Sequence, residues 1–165
     1  MKHIVYFALG SNLGNRLSNL RHAVDHFPPH ISLIASSPVY ETPPWGLLDQ
    51  PIYLNQVVEV ETSLVPLDLL DYIKDVERNM GRVETVRYGP RLIDIDILFY
   101  DNFTIDLPSL KIPHPHIAER AFVLVPLAEL IPDKYLPSAQ MTIKELRDLI
   151  DTSEITQYSV TTEVL

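Results

Sequence analysis

Residues 87–98 read RYGPRLIDIDIL, a segment in which two aspartates interrupt a run of isoleucine and leucine. Successive side chains of a strand face opposite sides, so a strand over 92–100 puts Asp94 and Asp96 on one face. The isoleucines around them share the other face. The Cα atoms of the two aspartates then lie about 7 Å apart, from a rise of roughly 3.3 Å per residue.

Two carboxylates at that separation repel each other, and burial penalises the charge of both. Mg²⁺ offsets this penalty, because it takes oxygen ligands and is typically held by one or two carboxylates plus substrate phosphates. A D-x-D pair by itself is a weak signal, and aspartates on a solvated strand face explain it equally well. The pattern therefore predicts either a magnesium site or an exposed face.

The rest of the chain predicts an α+β fold with the order strand, helix, strand, strand, helix, strand. The strands are expected at 4–9, 31–40, 53–61 and 92–100, and the helices at 13–27, 66–80, 118–130 and 143–150. This order is typical of a ferredoxin-like fold, a mainly antiparallel sheet with helices packed on it. Ser11 or Asn12 is expected to cap the first helix. We expect one domain over 1–165, with a tail of unassigned structure over 151–165.

Two long loops rich in proline and glycine, 41–51 and 81–90, separate these elements. Such loops in a compact chain are usually functional. The turn GSNLG after the first strand lacks the lysine of a Walker motif and is not a G-x-G-x-x-G turn. If a nucleotide binds, it therefore binds without a P-loop or a Rossmann turn.

The composition excludes several classes of protein. The chain has no cysteine, which excludes disulfides, thiolate metal sites and cysteine nucleophiles. A formal net charge of -9 argues against a nucleic-acid partner held by phosphate contacts. No apolar run approaches the roughly 20 residues that span a bilayer. We expect a cytoplasmic protein without a membrane partner.

Basic residues flank the aspartate pair. Arg82, Arg87 and Arg91 can form plain salt bridges with it, which stabilise a protein surface little. Guanidinium groups also match phosphate oxygens, so arginines beside metal-binding carboxylates fit polyphosphate binding. His114 and Arg120 follow in IPHPHIAERAF, where the histidine can donate a hydrogen bond to phosphate or be a plain surface residue.

An aromatic pocket is a second candidate site. Tyr53 and Asn55 share one face of their predicted strand and follow the loop that contains Trp45. A ring, an amide and an indole can sandwich a flat heterocycle, with Phe122 on its other side. The alternative is that Tyr53 and Phe122 are core aromatics.

Four segments carry a resemblance to a known family: GSNLGNR, YETPPWGLLDQPIYLNQVVEVETSL, GRVETVRYGPRLIDIDIL and IPHPHIAERAFVLVPLAEL, within roughly residues 3 to 137. Together they resemble the 6-hydroxymethyl-7,8-dihydropterin pyrophosphokinases of folate biosynthesis. The resemblance implies a ferredoxin-like fold and transfer of the β,γ-pyrophosphoryl group of ATP to the pterin hydroxymethyl oxygen, with release of AMP. It also implies two Mg²⁺ ions bound with ATP.

The resemblance assigns roles to individual residues. Asp94 and Asp96 match the metal-binding pair, and Arg82, Arg87 and Arg91 match catalytic arginines. The positions that match the ATP site are Glu77, Arg87, Arg91, Ile97, His114 and Arg120. Those that match the pterin site are Thr42, Pro43, Trp45, Tyr53, Asn55 and Phe122. The loops over 43–52 and 82–90 resemble mobile lids.

Glu84, Tyr88, Ser109 and Lys111 depart from the family pattern, which bears on lid closure and ATP affinity. The implied partners are ATP and 6-hydroxymethyl-7,8-dihydropterin, and we expect a monomer. Two other hypotheses fit the residues. One is a Mg²⁺-dependent phosphohydrolase or nucleotidyltransferase that uses the same D-x-D pair, and the other is a non-catalytic ferredoxin-like module that binds a heterocycle.

Overall fold

The computed structural model describes residues 1–44, 46, 48–83, 87 and 89–159. The strands are β1 (His3–Ser11), β2 (Ile31–Ser36), β3 (Tyr40–Thr42), β4 (Tyr53–Thr62), β5 (Asp94–Tyr100), β6 (Ile105–Asp106), β7 (Lys111–Ile112), β8 (Tyr135–Leu136), β9 (Met141–Thr142) and β10 (Thr156–Gln157). The helices are α1 (Arg16–Asp25), α2 (Pro66–Asn79), α3 (Ala121–Leu130) and α4 (Ile143–Leu149), with a 3-10 helix at Ile117–Glu119.

The main sheet has the strand order β10-β3-β4-β1-β5, and β2 pairs with β4 as well. Each of these pairs is antiparallel. The long strands β1 and β4 pair along their whole length, from His3 opposite Thr62 to Ser11 opposite Leu54. The predicted antiparallel sheet is therefore confirmed. Two small hairpins, β6–β7 and β8–β9, lie outside it.

Both faces of the sheet carry a hydrophobic core. On the first face, Phe7 of β1 and Ile95 of β5 pack with Leu20 of α1 and Ile73 of α2, all at most 4% exposed. On the second face, Leu98 belongs to a core with residues of α3 and α4. Full burial of one such side chain contributes about 1.5–3 kcal/mol. Because helices cover both faces, the sheet is the middle layer of three.

The alternation predicted for the strand that carries the aspartates, β5 at the edge of the sheet, is confirmed. Ile93, Ile95 and Ile97 are at most 4% exposed and lie in the core against α1 and α2. Asp94 and Asp96 project from the opposite face, where both line a cavity. The isoleucine side anchors the strand in the core, and the carboxylate side remains open to ligands.

Several element boundaries differ from the prediction, and three of the differences have a local cause. The expected strand over 31–40 is two strands, which end at Ser36 and begin again at Tyr40, because Pro38 between them has no N–H to donate. The third helix begins at Ala121 rather than at 118, since a 3-10 helix precedes it. The cap of α1 is Asn15, whose side chain accepts a hydrogen bond from the Ser18 N–H at 3.1 Å. The predicted caps, residues 11 and 12, lie too far upstream.

A short strand of the tail, β10, joins the edge of the sheet. In β10, Thr156 pairs with Glu41 of β3, and the Tyr158 N–H donates to the Val39 carbonyl at 2.8 Å. The Tyr158 ring lies 5.9 Å from the Arg16 guanidinium. These contacts brace the short strand β3, which leads into the first long loop. Within the described ranges, no helix has the length and apolarity that crossing a membrane requires.

Candidate active site

Three neighbouring strands bring the predicted site residues to one face of the sheet. Gly10 of β1 pairs with Asn55 of β4 on one side and with Asp94 of β5 on the other. Two residues earlier, Ala8 pairs with Asp96. Directly paired residues project to the same face, so the amide and the carboxylates flank a floor made of two small residues.

That floor requires a glycine. A Cβ atom added at Gly10 would lie 2.8 Å from the Asn55 Oδ1 and 3.5 Å from the ring of Tyr53. The missing side chain leaves room for a cavity of about 430 Å³ between the amide and the carboxylates. Ligand sites in proteins commonly measure 300–1,000 Å³, so the cavity is large enough for a small heterocycle.

Most of the predicted site residues line this one cavity. They are Thr42, Pro43, Tyr53, Asn55, Arg82, Arg87, Arg91, Asp94, Asp96, His114, Arg120 and Phe122. Glu77 is buried and reaches the site through Arg82. Ile97 packs into the core on the opposite face, so its side chain does not face the cavity. Its predicted contact with ATP stays a prediction.

The departures from the family pattern lie away from the described cavity lining or outside the described residues. Trp45, predicted for the pterin site, also lies outside them, as do Glu84 and Tyr88. Lys111 donates to Asp106 at 2.6 Å across the exposed β6–β7 hairpin, and Ser109 is exposed nearby.

One half of the cavity is neutral and hydrogen-bonded. Asn55 is 8% exposed, and its Nδ2 donates to the Thr42 hydroxyl at 2.5 Å. This bond fixes the orientation of the amide, which then presents a defined donor and acceptor edge. The Tyr53 hydroxyl donates to the Gly89 carbonyl at 3.3 Å. Burial, and secondarily Asp94, raise the pKa of Tyr53 to about 12, so the phenol stays protonated.

The other half of the cavity is charged. Burial raises the pKa of Asp94, and the neighbouring carboxylate of Asp96 raises it further. Burial likewise raises the pKa of Asp96, although Arg120 opposes the shift. The Asp94 side chain retains 38% of its surface, and this surface faces the cavity. The pair therefore carries charge that the protein neutralises incompletely.

Arg82 links this pair to a third carboxylate. Its Nη1 donates to the Glu77 Oε2 and lies 3.4 Å from the Asp94 Oδ1. The same Glu77 oxygen accepts the backbone N–H of Ile95 at 3.2 Å. Burial raises the pKa of Glu77, and Arg82 is the main opposing influence. Glu77 therefore acts on the site by orienting Arg82 and by fixing the start of β5 through the Ile95 N–H.

His114 is neutral and has a defined tautomer. Burial, together with the positive charge of Arg120, lowers the pKa of His114 to about 4. The backbone N–H of His116 donates to its Nδ1 at 3.1 Å, so the ring proton resides on Nε2. The imidazole therefore offers the cavity an N–H donor without adding positive charge.

The carboxylate pair fits a cation that arrives with a substrate. No group of three or more His, Cys, Asp or Glu side chains is placed to hold a metal among the described residues. Two carboxylates supply too few ligands for a cage made by protein alone, but they match Mg²⁺ that keeps waters and phosphate oxygens. The donor set is therefore suited to magnesium carried by a polyphosphate.

Asn12 is a contributor that the sequence interpretation missed. It is 2% exposed, and its side chain contacts the end of the first long loop and the residue that follows the second: Nδ2 donates to Gln50 and Pro51, and Oδ1 accepts from the Arg91 N–H. An amide directly after a strand was interpreted as a helix cap. The sequence offers one signal for a different role of Asn12: a second possible cap, Asn15, lies closer to the helix.

Comparisons with known proteins agree with this geometry. A model of the 7,8-dihydro-6-hydroxymethylpterin-pyrophosphokinase (HPPK) family matches residues 6–132. A 2-amino-4-hydroxy-6-hydroxymethyldihydropteridine pyrophosphokinase from Pseudomonas aeruginosa is 47% identical over 138 residues, 82% of this chain and 85% of the relative. A protein of the same name from Methylorubrum extorquens is 43% identical over 152 residues, 91% of this chain and 95% of the relative.

Solved structures show the same fold. A crystal structure of Plasmodium falciparum HPPK-DHPS superposes with a TM-score of 0.75 at 20% sequence identity and covers 90% of this chain. This chain spans 45% of that longer protein. The predicted α+β, ferredoxin-like fold class is confirmed.

Proposed function

The chain belongs to the 7,8-dihydro-6-hydroxymethylpterin-pyrophosphokinase family, and from that premise we propose which of its residues carry out the reaction. The protein is an enzyme of folate synthesis that transfers pyrophosphate from ATP to 6-hydroxymethyl-7,8-dihydropterin. The hydroxymethyl oxygen forms a bond to the β-phosphorus and releases its proton to solvent, and the bond between that phosphorus and the bridging oxygen of the α-phosphate breaks. The leaving group is AMP.

The pterin occupies the neutral half of the cavity in this proposal. The observation that carries it is the row Asn55–Gly10–Asp94 across three strands. With strands roughly 4.8 Å apart, the outer two residues lie about 10 Å apart, which suits a two-ring heterocycle with a hydroxymethyl arm. Asn55 and the backbone at Thr42 and Pro43 read the polar edge of the ring.

Aromatic rings cover the faces of the pterin in the same proposal. Tyr53 shares the Asn55 face of β4, and Phe122 lines the cavity from the start of α3. The Tyr53 hydroxyl is already bonded to Gly89, so its ring orientation is fixed before the ligand binds. Trp45 remains a predicted third ring at this pocket.

The triphosphate occupies the charged half. Members of this family use ATP with Mg²⁺, and Asp94 and Asp96 would hold the metal. We propose two ions, because Asp94 and Asp96 lie on one strand face and would each supply a ligand to a pair of cations. When bound, the metal neutralises phosphate charge and polarises the phosphorus–oxygen bonds. Arg82, Arg87 and Arg91 surround the transferring group.

Positioning and electrostatics drive the transfer in this scheme. His114 is a poor general base, because its Nδ1 accepts a hydrogen bond and its Nε2 carries the proton. Its Nε2–H instead donates to a phosphate oxygen, and Arg120 adds a fixed positive charge beside it. Preformed donors of this kind stabilise developing charge better in a cavity than in water.

An assay of AMP release from MgATP, with and without 6-hydroxymethyl-7,8-dihydropterin, tests the function. We expect AMP and pterin diphosphate in equal amounts, and AMP release that requires the pterin. Phosphate or pyrophosphate released without the pterin would instead identify a hydrolase. Pterin binding without any consumption of ATP would identify a binding module.

The proposal places the reaction in a single copy of the chain. The two hydrophobic cores lie on the two faces of one sheet. A shared sheet fits the proposed single domain over 1–165, and the monomeric state stays a prediction. The cytoplasmic location stays a prediction from the composition.

A further inference from the structure

We propose that Asn12 is a positioning residue that couples the two long loops of the active site. The inference rests on the proposed function, since it concerns how the pterin half and the phosphate half of the cavity are held together. Asn12 lies directly after β1 and is 2% exposed. A buried amide must satisfy its donors and its acceptor within the protein, so its partners are informative.

The amino group of Asn12 holds the first loop. Nδ2 donates to the Gln50 Oε1 at 2.9 Å and to the Pro51 carbonyl at 2.9 Å. Both acceptors lie near the end of the loop over 43–52, and only Ile52 separates them from Tyr53. An amide nitrogen has two hydrogens, and each has one acceptor here.

The oxygen of Asn12 holds the second loop. Oδ1 accepts the Arg91 N–H at 2.8 Å, and the backbone N–H of Asn12 donates to the Arg91 carbonyl at 3.1 Å. Arg91 directly follows the loop over 82–90 and precedes the metal-binding strand by two residues. One planar group therefore fixes the end of each loop, with a different atom for each.

A helix-capping role does not explain these contacts. The cap of α1 is Asn15, and its side chain accepts the Ser18 N–H. The bonds of Asn12 all run to segments at least 38 positions away in the sequence. Its amide therefore stabilises long-range loop geometry rather than local helix structure.

The arrangement has a functional consequence. A pterin bound against Tyr53 favours the bonded position of Gln50 and Pro51, and MgATP bound at Arg91 favours the bonded position of its N–H. Since both sets of bonds share one planar amide at the end of β1, holding one set in place favours the other. The pterin and MgATP therefore increase each other's affinity, by an amount that is equal in both directions.

The test compares Asn12→Asp with Asn15→Asp, the same substitution three positions away. Asn12→Asp keeps an oxygen for the Arg91 N–H but replaces the donor to Gln50 and Pro51 with a second acceptor. Asn15→Asp keeps an efficient helix cap and adds the same charge nearby. Pterin dissociation constants are measured with and without a saturating non-hydrolysable MgATP analogue, together with kcat for AMP release.

For the wild-type protein and for Asn15→Asp, we expect the analogue to tighten pterin binding by roughly 5- to 100-fold. For Asn12→Asp, we expect that factor to fall to about 1–3, and kcat to fall about 10-fold or more. Affinity for the analogue alone should stay within about 3-fold of the wild-type value, a split that a general loss of stability would not produce.

An unchanged coupling factor in Asn12→Asp, or no coupling in the wild type, would overturn the inference. If Asn12→Asp does not fold, Gln50→Ala removes one acceptor and leaves the Arg91 bonds in place. It should lower the coupling factor, and a full wild-type factor would equally overturn the inference. If the wild-type protein releases no AMP in response to the pterin, the proposed function itself is refuted. If the wild-type protein is active, an unchanged coupling factor counts against the role of Asn12 alone.

Discussion

The two halves of the cavity share one sheet but differ in how they are held together. In the neutral half, Asn55, Thr42 and Tyr53 satisfy each other or the backbone with uncharged hydrogen bonds. In the charged half, Asp94 and Asp96 face each other's charge, and arginines only partly compensate. The neutral half is therefore preformed, while the charged half is completed by its ligands.

This difference predicts how substitutions divide. A change in the neutral half removes contacts that exist before binding, so it should act mainly on pterin affinity. A change in the charged half removes groups that matter most when phosphate charge is redistributed, so it should act mainly on kcat. Single substitutions in each half of the cavity test that division.

Asp96→Asn should give the largest effect and should divide the two halves most clearly. The substitution keeps the size of the side chain but removes a metal-binding charge, so we expect kcat to fall by about 10²–10³-fold or more. Pterin affinity should stay within about 3-fold, because the neutral half is intact. Steady-state kinetics and pterin titration measure both quantities. Asp106→Asn, an exposed site away from the cavity, is the control, and weakened pterin binding at normal kcat would contradict the division.

Asn55→Ala should show the reverse pattern. Loss of the amide leaves the polar edge of the pterin without a buried partner and frees the Thr42 hydroxyl, so pterin affinity should fall about 10- to 100-fold, or about 1.4–2.8 kcal/mol. Binding of the MgATP analogue alone should not change. Calorimetric titration of each ligand tests this, with Asn79→Ala at the exposed end of α2 as control. A loss of nucleotide affinity of similar size would show that the halves are not separable.

Gly10→Ala tests the boundary between the halves. The added methyl group would meet the Asn55 Oδ1 at 2.8 Å, so the amide must shift out of its bond with Thr42. We expect pterin affinity to fall roughly 5- to 10-fold, with a smaller change in kcat. Combined with Asn55→Ala, the penalty should largely disappear, since the clashing atom is gone. Additive effects of the two substitutions would exclude this mechanism.

The sequence predicts which side chains share a strand face in both halves of the cavity, but it does not predict the tautomer of His114. Alternation in a strand placed Asp94 and Asp96 together, and isoleucines on the reverse face, because strand geometry has a fixed period. The same rule placed Tyr53 with Asn55. The neutral tautomer of His114 was not predictable, since it depends on a hydrogen bond from His116 and on burial that only the folded chain defines.

Contacts between distant segments were the main omission. Asn12 contacts residues 50, 51 and 91. No local sequence pattern reveals which distant loops the end of a strand will contact. The pairing of β10 with β3 was missed for a related reason. Two strand residues in a polar tail give no periodic signal, and their partner is more than a hundred positions away.

The neutral state of His114 in the charged half has a consequence for stability. Its pKa is lowered from 6.5 to about 4 by burial and by Arg120. Below pH 6.5 the unfolded chain takes up a proton that the folded protein resists, so this residue contributes stability that is lost as pH falls from 6.5 towards 4. His114→Gln should therefore show a melting temperature that declines less over this range. Equal declines in both proteins would contradict the assignment.

Tyr158→Ala should give the smallest effect and shows how far support of the neutral half extends. The ring packs against Arg16, whose Nη1 donates to the Ile52 carbonyl at 3.0 Å, and the strand beside it pairs with β3 next to Thr42. Loss of the ring should loosen both ends of the first loop, over 43–52. The KM for the pterin should therefore rise about 2- to 3-fold, while the KM for ATP stays unchanged. Gln157→Ala, an exposed side chain in the same strand, is the control. If KM for ATP rose instead, the tail would support the charged half, and the contrast between the halves would not extend to the edge of the sheet.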